Sequence, residues 1–361
     1  MFDKSSLPGI SLTAAGLIAL ADLKTIAYRT ALKGTSSYFD ILFLAPGIHC
    51  QQSASEVNGG EYPATGAMTT GYVFRVENQA TVNYLQRVGE SGHLVNVKVL
   101  PNSQIPRLRL FSPAIARCAS CKAKLPRVGL FSRCTSVCET CLVKVPAVGL
   151  LSREALTAVL YASGLAQTLI VLYLLLFIRD LWGFGVMAML IVARLCNIAV
   201  IKERSMLGWK GASEPGVEGD LLILLSQDRW IRMRGMVDDI KAVTAGQWLK
   251  EQTGAQSFFV SLGTLLVYAS AALAGNSSTV GNLLIACLLL ISVAMLGVCN
   301  SLTKTQEMFG RMLYQVGEPR KYDRRLTMAQ ELIAETKRDD WALGMGLIVA
   351  EEAAKIKKAL M

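Results

Sequence analysis

Histidine is nearly missing from this chain: His49 and His93 are the only two among 361 residues. So small a supply leaves little material for a His-rich metal site or a histidine-centred triad. The phosphate-cradling glycine motifs are missing too, with neither G-x-x-x-x-G-K-[ST] nor a G-x-G-x-x-G behind a strand. G-x-S-x-G and H-E-x-x-H do not occur either. Two pairs of adjacent acids, Asp238-Asp239 and Asp339-Asp340, point in different directions on a helix and read as solvated faces. No acid–base constellation emerges, so a membrane enzyme acting on lipid is the weakest of the function classes considered.

Acid is scarce in one particular place. Between Pro101 and Arg153 there are nine Lys or Arg and one acid, Glu139, so this segment supplies +8 of the formal net charge of +10. A basic block beside an apolar run marks the cytoplasmic side of a membrane or faces anionic lipid, which argues against nucleic acid as a partner.

What the chain has in excess is apolar sequence: 52% of its residues are hydrophobic and mean hydropathy is +0.39. Four runs, Ala155–Ile178, Leu181–Ile201, Phe258–Ala274 and Val280–Leu302, are apolar and carry a single charge between them, Arg194. The first, at 1.5 Å per residue, is about 36 Å long as a helix, enough to cross a bilayer. Arg179-Asp180 and Gly275-Asn276-Ser277-Ser278 connect them into two hairpins. Lys144, Arg153, Lys202, Arg204, Lys210, Lys304 and Arg311 all flank one side, against Arg179 on the other. Both termini are therefore expected to be cytoplasmic, with the sequon Asn276-Ser277-Ser278 opposite and too close to the membrane to be modified.

The remainder divides by composition. Residues 1–50 read as one amphipathic helix of roughly six turns, capped by Ser11 and stopped at Gly34, followed by a short apolar segment that Pro46-Gly47 breaks. The continuous periodicity and balanced N-terminal charge argue against a cleaved signal. Residues 51–100 read as a small β-rich region with strands in YVFRV, TVNYLQRV and HLVNVKVL. The 202–256 loop reads as a β-hairpin, Leu221–Leu225 and Trp230–Arg234 around a turn at Ser226–Asp228, followed by a helix. Trp230, Arg232 and Arg234 alternate with Ile231 and Met233, which predicts one covered face and one wet or charged face. In 303–361 the last span is expected to continue as helix to Val316, break at Gly317-Glu318-Pro319 and resume from Leu326, with Trp341–Ala350 packed on the cytoplasmic domain or lying in the interface. The fold class read from all this is a membrane all-α protein, with four transmembrane helices (154–201 and 257–302) in two hairpins, a small β-rich N-terminal region and a β-hairpin/helix cytoplasmic loop.

Two groups of residues could carry chemistry. Cys118, Cys121, Cys138 and Cys141 form C-x2-C-x16-C-x2-C, spacing that suits structural zinc. Yet Cys118–Arg133 and Cys138–Arg153 align as tandem copies with a period of 20, and IPRLRLFSP is a weaker copy upstream without cysteine. Duplication accounts for the spacing by itself. Structural zinc, S-palmitoylation beside the membrane, and neither stand as three readings of the 101–153 repeats. The second group is polar residues inside the spans: Gln167, Arg194, Asn197 and Asn282. Arg194 and Asn197 share a helix face. Arg194 could snorkel to headgroups, contact Gln167 or Asn282, or line a substrate pathway. Without an acid in any span to pair with it, proton coupling is disfavoured. Gly164, Gly183 and Gly185 read as close packing within the first hairpin. More than half of the chain lies outside the spans, which suits an adaptor, tether or regulatory subunit with a protein partner on its cytoplasmic face. A small transporter or channel subunit is the alternative; it would need a homo-oligomer, because four spans enclose little space.

Overall fold

The structure is a computed structural model, and it describes residues 14–102, 135–137, 144–146, 153–208, 210–349 and 351. In chain order its elements are α1 (Ala14–Ala19), α2 (Thr25–Lys33), β1 (Ala64–Ala67), β2 (Val73–Arg75), α3 (Gln79–Val88), β3 (His93–Pro101), β4 (Thr135–Val137) and β5 (Lys144–Pro146). There follow α4 (Arg153–Phe177), α5 (Leu181–Arg204), β6 (Glu218–Leu225), β7 (Arg229–Met236), α6 (Val237–Thr244), α7 (Gly254–Leu273) and α8 (Thr279–Leu302). The chain closes with β8 (Thr305–Met308), β9 (Arg311–Lys321), α9 (Arg325–Thr336) and α10 (Asp340–Gly344). Strands β4 and β5 pair only with each other.

Four helices, α4, α5, α7 with its extension to Asn276, and α8, are long and apolar enough to cross a membrane. Their outer faces carry large apolar side chains such as Ile170, Tyr173, Phe177, Phe258 and Leu265 in the open, as expected where lipid rather than protein solvates a helix. The bundle does not pack hairpin by hairpin. Helix α5 lies mainly on α7 and α4 mainly on α8, and the glycines reflect that arrangement. A Cβ on Gly263 of α7 would sit 3.2 Å from the Ala193 carbonyl of α5. Gly164 leaves room for the ring of Phe43 rather than for α5, Gly183 meets Ser277 and Asp180 as well as Leu175, and Gly185 touches nothing within 4 Å. The expected packing inside the first hairpin is thus kept at Gly183, through Leu175 of α4, while Gly164 packs on a segment outside the hairpin.

The N-terminal segment enters this bundle. The single long helix read from the sequence is two: α1 packs against α7 and α8, with Gly16 so close to Ala271 that a Cβ would meet its carbonyl at 2.5 Å. The chain breaks at Ala21–Leu23, where Gly47 abuts the Leu23 carbonyl. Helix α2 then leaves for the other core and stops at Gly34, whose φ of 68° suits the residue without a Cβ. The two halves separate because they serve different cores. Phe43, Leu44, Ala45 and Ile48, in the segment that Pro46-Gly47 breaks, are buried among the spans.

A seven-stranded mixed sheet sits at one end of the bundle, in the order β2-β1-β6-β7-β3-β9-β8. All pairs are antiparallel except β3 with β7. The hairpin β6–β7 stands where the alternation placed it, turning through Gln227 and Asp228 at φ of 62° and 53°. Three expectations change. TVNYLQRV lies in helix α3, because Asn78 accepts from the Thr81 N–H at 3.0 Å and caps it. The segment after α8 is not helix: β8 and β9 form a hairpin through Phe309 and Gly310, both at positive φ. The face bearing Trp230 and Arg232 is covered rather than wet, since α9 and α10 lie on it with Met328, Leu332, Ile333 and Trp341 buried. Trp341 therefore packs on the sheet. Helices α2, α3 and α6 cover the opposite face, around Val95, Val97, Ile231 and Met233.

Sheet and bundle are joined by buried contacts as well as by chain. Ile201 of α5 is buried in the core beneath the sheet, Asn300 of α8 donates its Nδ2 to the Thr25 carbonyl of α2 at 3.0 Å, and Arg87 of α3 donates to the Asn300 carbonyl. Only Thr303 and Lys304 separate α8 from β8.

Candidate functional site

The polar residues of α5 gather the site. Counting along the helix, Arg194, Asn197, Ile201 and Arg204 fall three or four apart and so share one face. Against that face lies the segment from Ser36 to Gln52, which contributes two short 3₁₀ turns, Tyr38–Leu42 and Gln51–Glu56. Ser37 and Asp40 form a reciprocal cap on the first turn: Asp40 Oδ2 accepts the Ser37 N–H at 2.6 Å, and Ser37 Oγ accepts the Phe39 N–H at 3.3 Å.

Arg194 is 4% exposed, far too buried to snorkel. Its Nε donates to the Asp40 carbonyl at 3.2 Å and its Nη1 to Gln51 Oε1 at 2.6 Å. Gln51 is itself fully buried and held by the Ser36 hydroxyl at 2.9 Å. One turn on, Gln52 Nε2 donates to both the carbonyl and the Oδ1 of Asn197 at 3.1 Å, while Gln52 Oε1 accepts from Arg204 Nη1 at 2.8 Å. Arg204 Nε finishes on the Lys250 carbonyl at 2.6 Å. The result is a polar ladder down a helix of the bundle, with its partners supplied from outside the spans.

The sequence shows no acid inside a span, but the fold brings one in. Tyr161 of α4 donates its hydroxyl to Asp40 Oδ1, and the Asp40 carboxylate is the acid whose charge reaches Arg194. Asp40 does not pair directly with the guanidinium, whose hydrogen bonds go to a carbonyl and an amide. Gln167 and Asn282 do not join the constellation. Gln167 is half-buried and makes no hydrogen bond to Arg194, and Asn282, 4% exposed, donates to the Ser277 carbonyl at 3.3 Å near the other end of the bundle. Sequence reasoning therefore missed Asp40, Gln51, Gln52, Tyr161 and Arg204. One signal was present: Gln51-Gln52 follow an apolar, Pro-broken segment, where two amides need buried partners.

That other end is organised by Asp180, in the connection between α4 and α5 and 8% exposed. It accepts from the Gly183 N–H at 2.9 Å, the Ser277 hydroxyl at 2.8 Å, the Ser278 N–H at 2.8 Å and the Ser278 hydroxyl at 2.6 Å. Burial pushes its carboxyl up, but the bonds from Ser278, Gly183 and Ser277 outweigh burial and hold it below its ordinary value. One side chain thus caps α5 and ties the two connections together.

Cys118, Cys121, Cys138 and Cys141, with the repeats that carry them, lie outside the described residues. A different group comes together: ligand atoms of Asp22, His49 and Cys50 lie within 4.8 Å of one another. The Cys50 thiol donates to Asp22, and burial, then that hydrogen bond and the Asp22 charge, push it up to about 12. A thiol holding its proton is a poor ligand, because soft metals take the thiolate. Asp238 and Asp239 are not merely solvated: Asp239 is 8% exposed and accepts from Arg311 Nε at 2.9 Å, while Asp238 accepts from Ser213 and the Glu214 N–H. Asp340 pairs with Arg338.

Comparison of this chain with protein-family models, with curated proteins and with solved structures finds no match.

Proposed function

We propose that this chain is a polytopic integral membrane protein that crosses the bilayer four times, with the sheet and both termini on the cytoplasmic side, and that it acts as a non-catalytic adaptor or regulatory subunit. The observation that carries the reading is the continuity of sheet and bundle. Segments 64–101, 218–236 and 305–321, separated in sequence by the spans, meet in one sheet whose buried link to the bundle runs through Ile201 of α5, and through Thr25 of α2 and Arg87 of α3 on Asn300 of α8. Such a joint favours a fixed platform over a freely tethered domain. Basic residues at the sheet end, Lys202, Arg204 and Lys304 among them, favour the cytoplasmic side.

Placing a photo-crosslinking residue at Tyr72, exposed just before edge strand β2, tests the adaptor reading in cells. A discrete adduct with a second protein is the expected outcome; adducts to lipid alone from every sheet position would end it. Orientation is checked with single cysteines at Gly310 and Gly275, of which an impermeant maleimide added outside should label only the second.

A second reading, a small transporter or channel subunit acting as an oligomer, is favoured by Arg194, Asp40 and Tyr161 meeting inside the bundle. It requires solute flux in proteoliposomes that Arg194→Leu changes. Liposomes that stay tight to every solute tried would remove it.

A further inference from the structure

Where α2, α4, α5, α8 and β8 converge, the structure has a cavity of ≈ 770 Å³ between bundle and sheet. Five basic residues line it, Arg29, Lys33, Arg194, Lys202 and Lys304, against two acids, Asp40 and Glu307. Both acids are already engaged. Glu307 pairs with Lys33 at 2.7 Å, and Asp40 takes the Ser37 N–H and the Tyr161 hydroxyl. Arg194 is satisfied by its carbonyl and amide acceptors. Among the described residues three cations are left without a carboxylate partner: Arg29 donates to the neutral Thr303 hydroxyl at 3.3 Å and lies 5.8 Å from the centre of the Tyr161 ring, Lys202 lies 4.0 Å from the centre of the Tyr38 ring, and Lys304 makes no side-chain bond.

Three like charges facing one partly enclosed space repel each other, and the low dielectric around them strengthens that repulsion. An anion with several acceptor oxygens removes the cost and gains charge-assisted hydrogen bonds from donors already aimed at it. Helix α4 begins here while α2, α5 and α8 end here, so the helix termini do not favour an anion and the basic side chains set the sign. The rest of the wall is apolar, from Phe39, Ala158, Tyr161, Leu302 and Met312, and it suits the glycerol or acyl stem that a headgroup would bring. We propose that this cavity binds a phosphate-bearing anion, held by Arg29, Lys202 and Lys304. Preference for a lipid source of that phosphate rests on the membrane reading given above; the binding itself does not.

Calorimetry on the full chain in detergent tests it, with dioctanoyl phosphatidic acid and inorganic phosphate as probes. Saturable binding of one phosphatidic acid per chain is expected, weakened about fivefold for each charge removed in Lys202→Gln and Lys304→Gln. Lys321→Gln, which removes an exposed cation on β9, should leave it unchanged. Failure of inorganic phosphate to compete identifies a lipid as the source, and full competition identifies the phosphate group alone as sufficient; both uphold the site. No saturable binding of either probe overturns it, as does an equal loss in Lys321→Gln. Should Lys202→Gln fail to fold, Lys304→Gln carries the test. Carbonate extraction of cell membranes reports separately on whether the chain is integral, so failure of the site and failure of the membrane reading are distinguishable.

Discussion

Two buried arginines, one in the sheet and one in the bundle, are held in opposite ways. Arg232 of β7, 6% exposed, contacts two carboxylates: Asp220 takes its Nε and Nη2, at 3.0 and 2.7 Å, and Glu335 takes Nη1 and Nη2, at 2.6 and 2.9 Å. Arg234 adds a second cation to the same pair of acids. Burial pulls Arg232 down, but the bonds to Asp220 and Glu335 outweigh it and raise the guanidinium above its ordinary value. Those bonds to Arg232, in turn, hold Glu335 below its own. Arg194 has neutral acceptors instead, and its acid acts from beyond the first contact. The sheet neutralises its charge locally. In the bundle, charge is solvated by dipoles and left in part uncompensated, beside a cavity with three more cations. A paired arginine fastens α9 to the sheet; an arginine among neutral dipoles keeps a field available to a ligand.

Arg232→Leu should be the most damaging change that bears on this contrast. It takes the buried partner from Asp220 and Glu335 and leaves them only the half-exposed Arg234, at a cost of about 3 kcal/mol, the low end for breaking a buried pair, read as a lower unfolding temperature with α9 released to proteolysis. Arg194→Leu should cost less, about 1–3 kcal/mol, because only neutral acceptors lose their donor and a buried charge is removed with it. Equal losses in the two variants would break the distinction. Asp180→Ala removes the cap of α5 and the tie between connections, about 1 kcal/mol by the usual worth of a capping side chain.

Acid sharpens the contrast by sign. Asp180 and Glu335 both titrate below their ordinary values of 3.8 and 4.5 when folded. Their stabilisation is therefore complete above those values and is lost as pH falls through the lowered ones. Unfolding followed from pH 6 downward should show the loss below about 4 in the wild type, and a shallower loss in Asp180→Asn. Lys304→Gln should be the mildest, within about 0.5 kcal/mol, with slight stabilisation as the sign that repulsion was relieved.

The four long apolar helices and the β6–β7 hairpin were legible because both are local patterns: long apolar runs, and alternation around a polar turn. TVNYLQRV misled because its β-branched and aromatic residues suit a strand, although Thr81, Tyr84, Leu85 and Val88 recur at helical spacing and Asn78 precedes them as a cap. The β8–β9 hairpin was hidden by its turn. Phe309 takes a left-handed φ of 49°, a conformation rarely signalled by phenylalanine. For Arg194 the face shared with Asn197 could be read, but not its partners. Asp40 and Gln51 lie 154 and 143 positions away, and no periodicity within a helix encodes what another segment brings to it.

The position of β3 sets an order of events during synthesis. It is made early, yet in the finished sheet it lies between β7 and β9, strands that emerge only after the first hairpin and after all four apolar helices respectively. Until then both edges of β3 are open to pairing with the wrong chain. Closure is necessarily late and non-local, which makes it slow. Completion of the sheet thereby depends on every preceding helix having reached its place, so a chain with one of the four apolar helices displaced would be left with exposed strand edges.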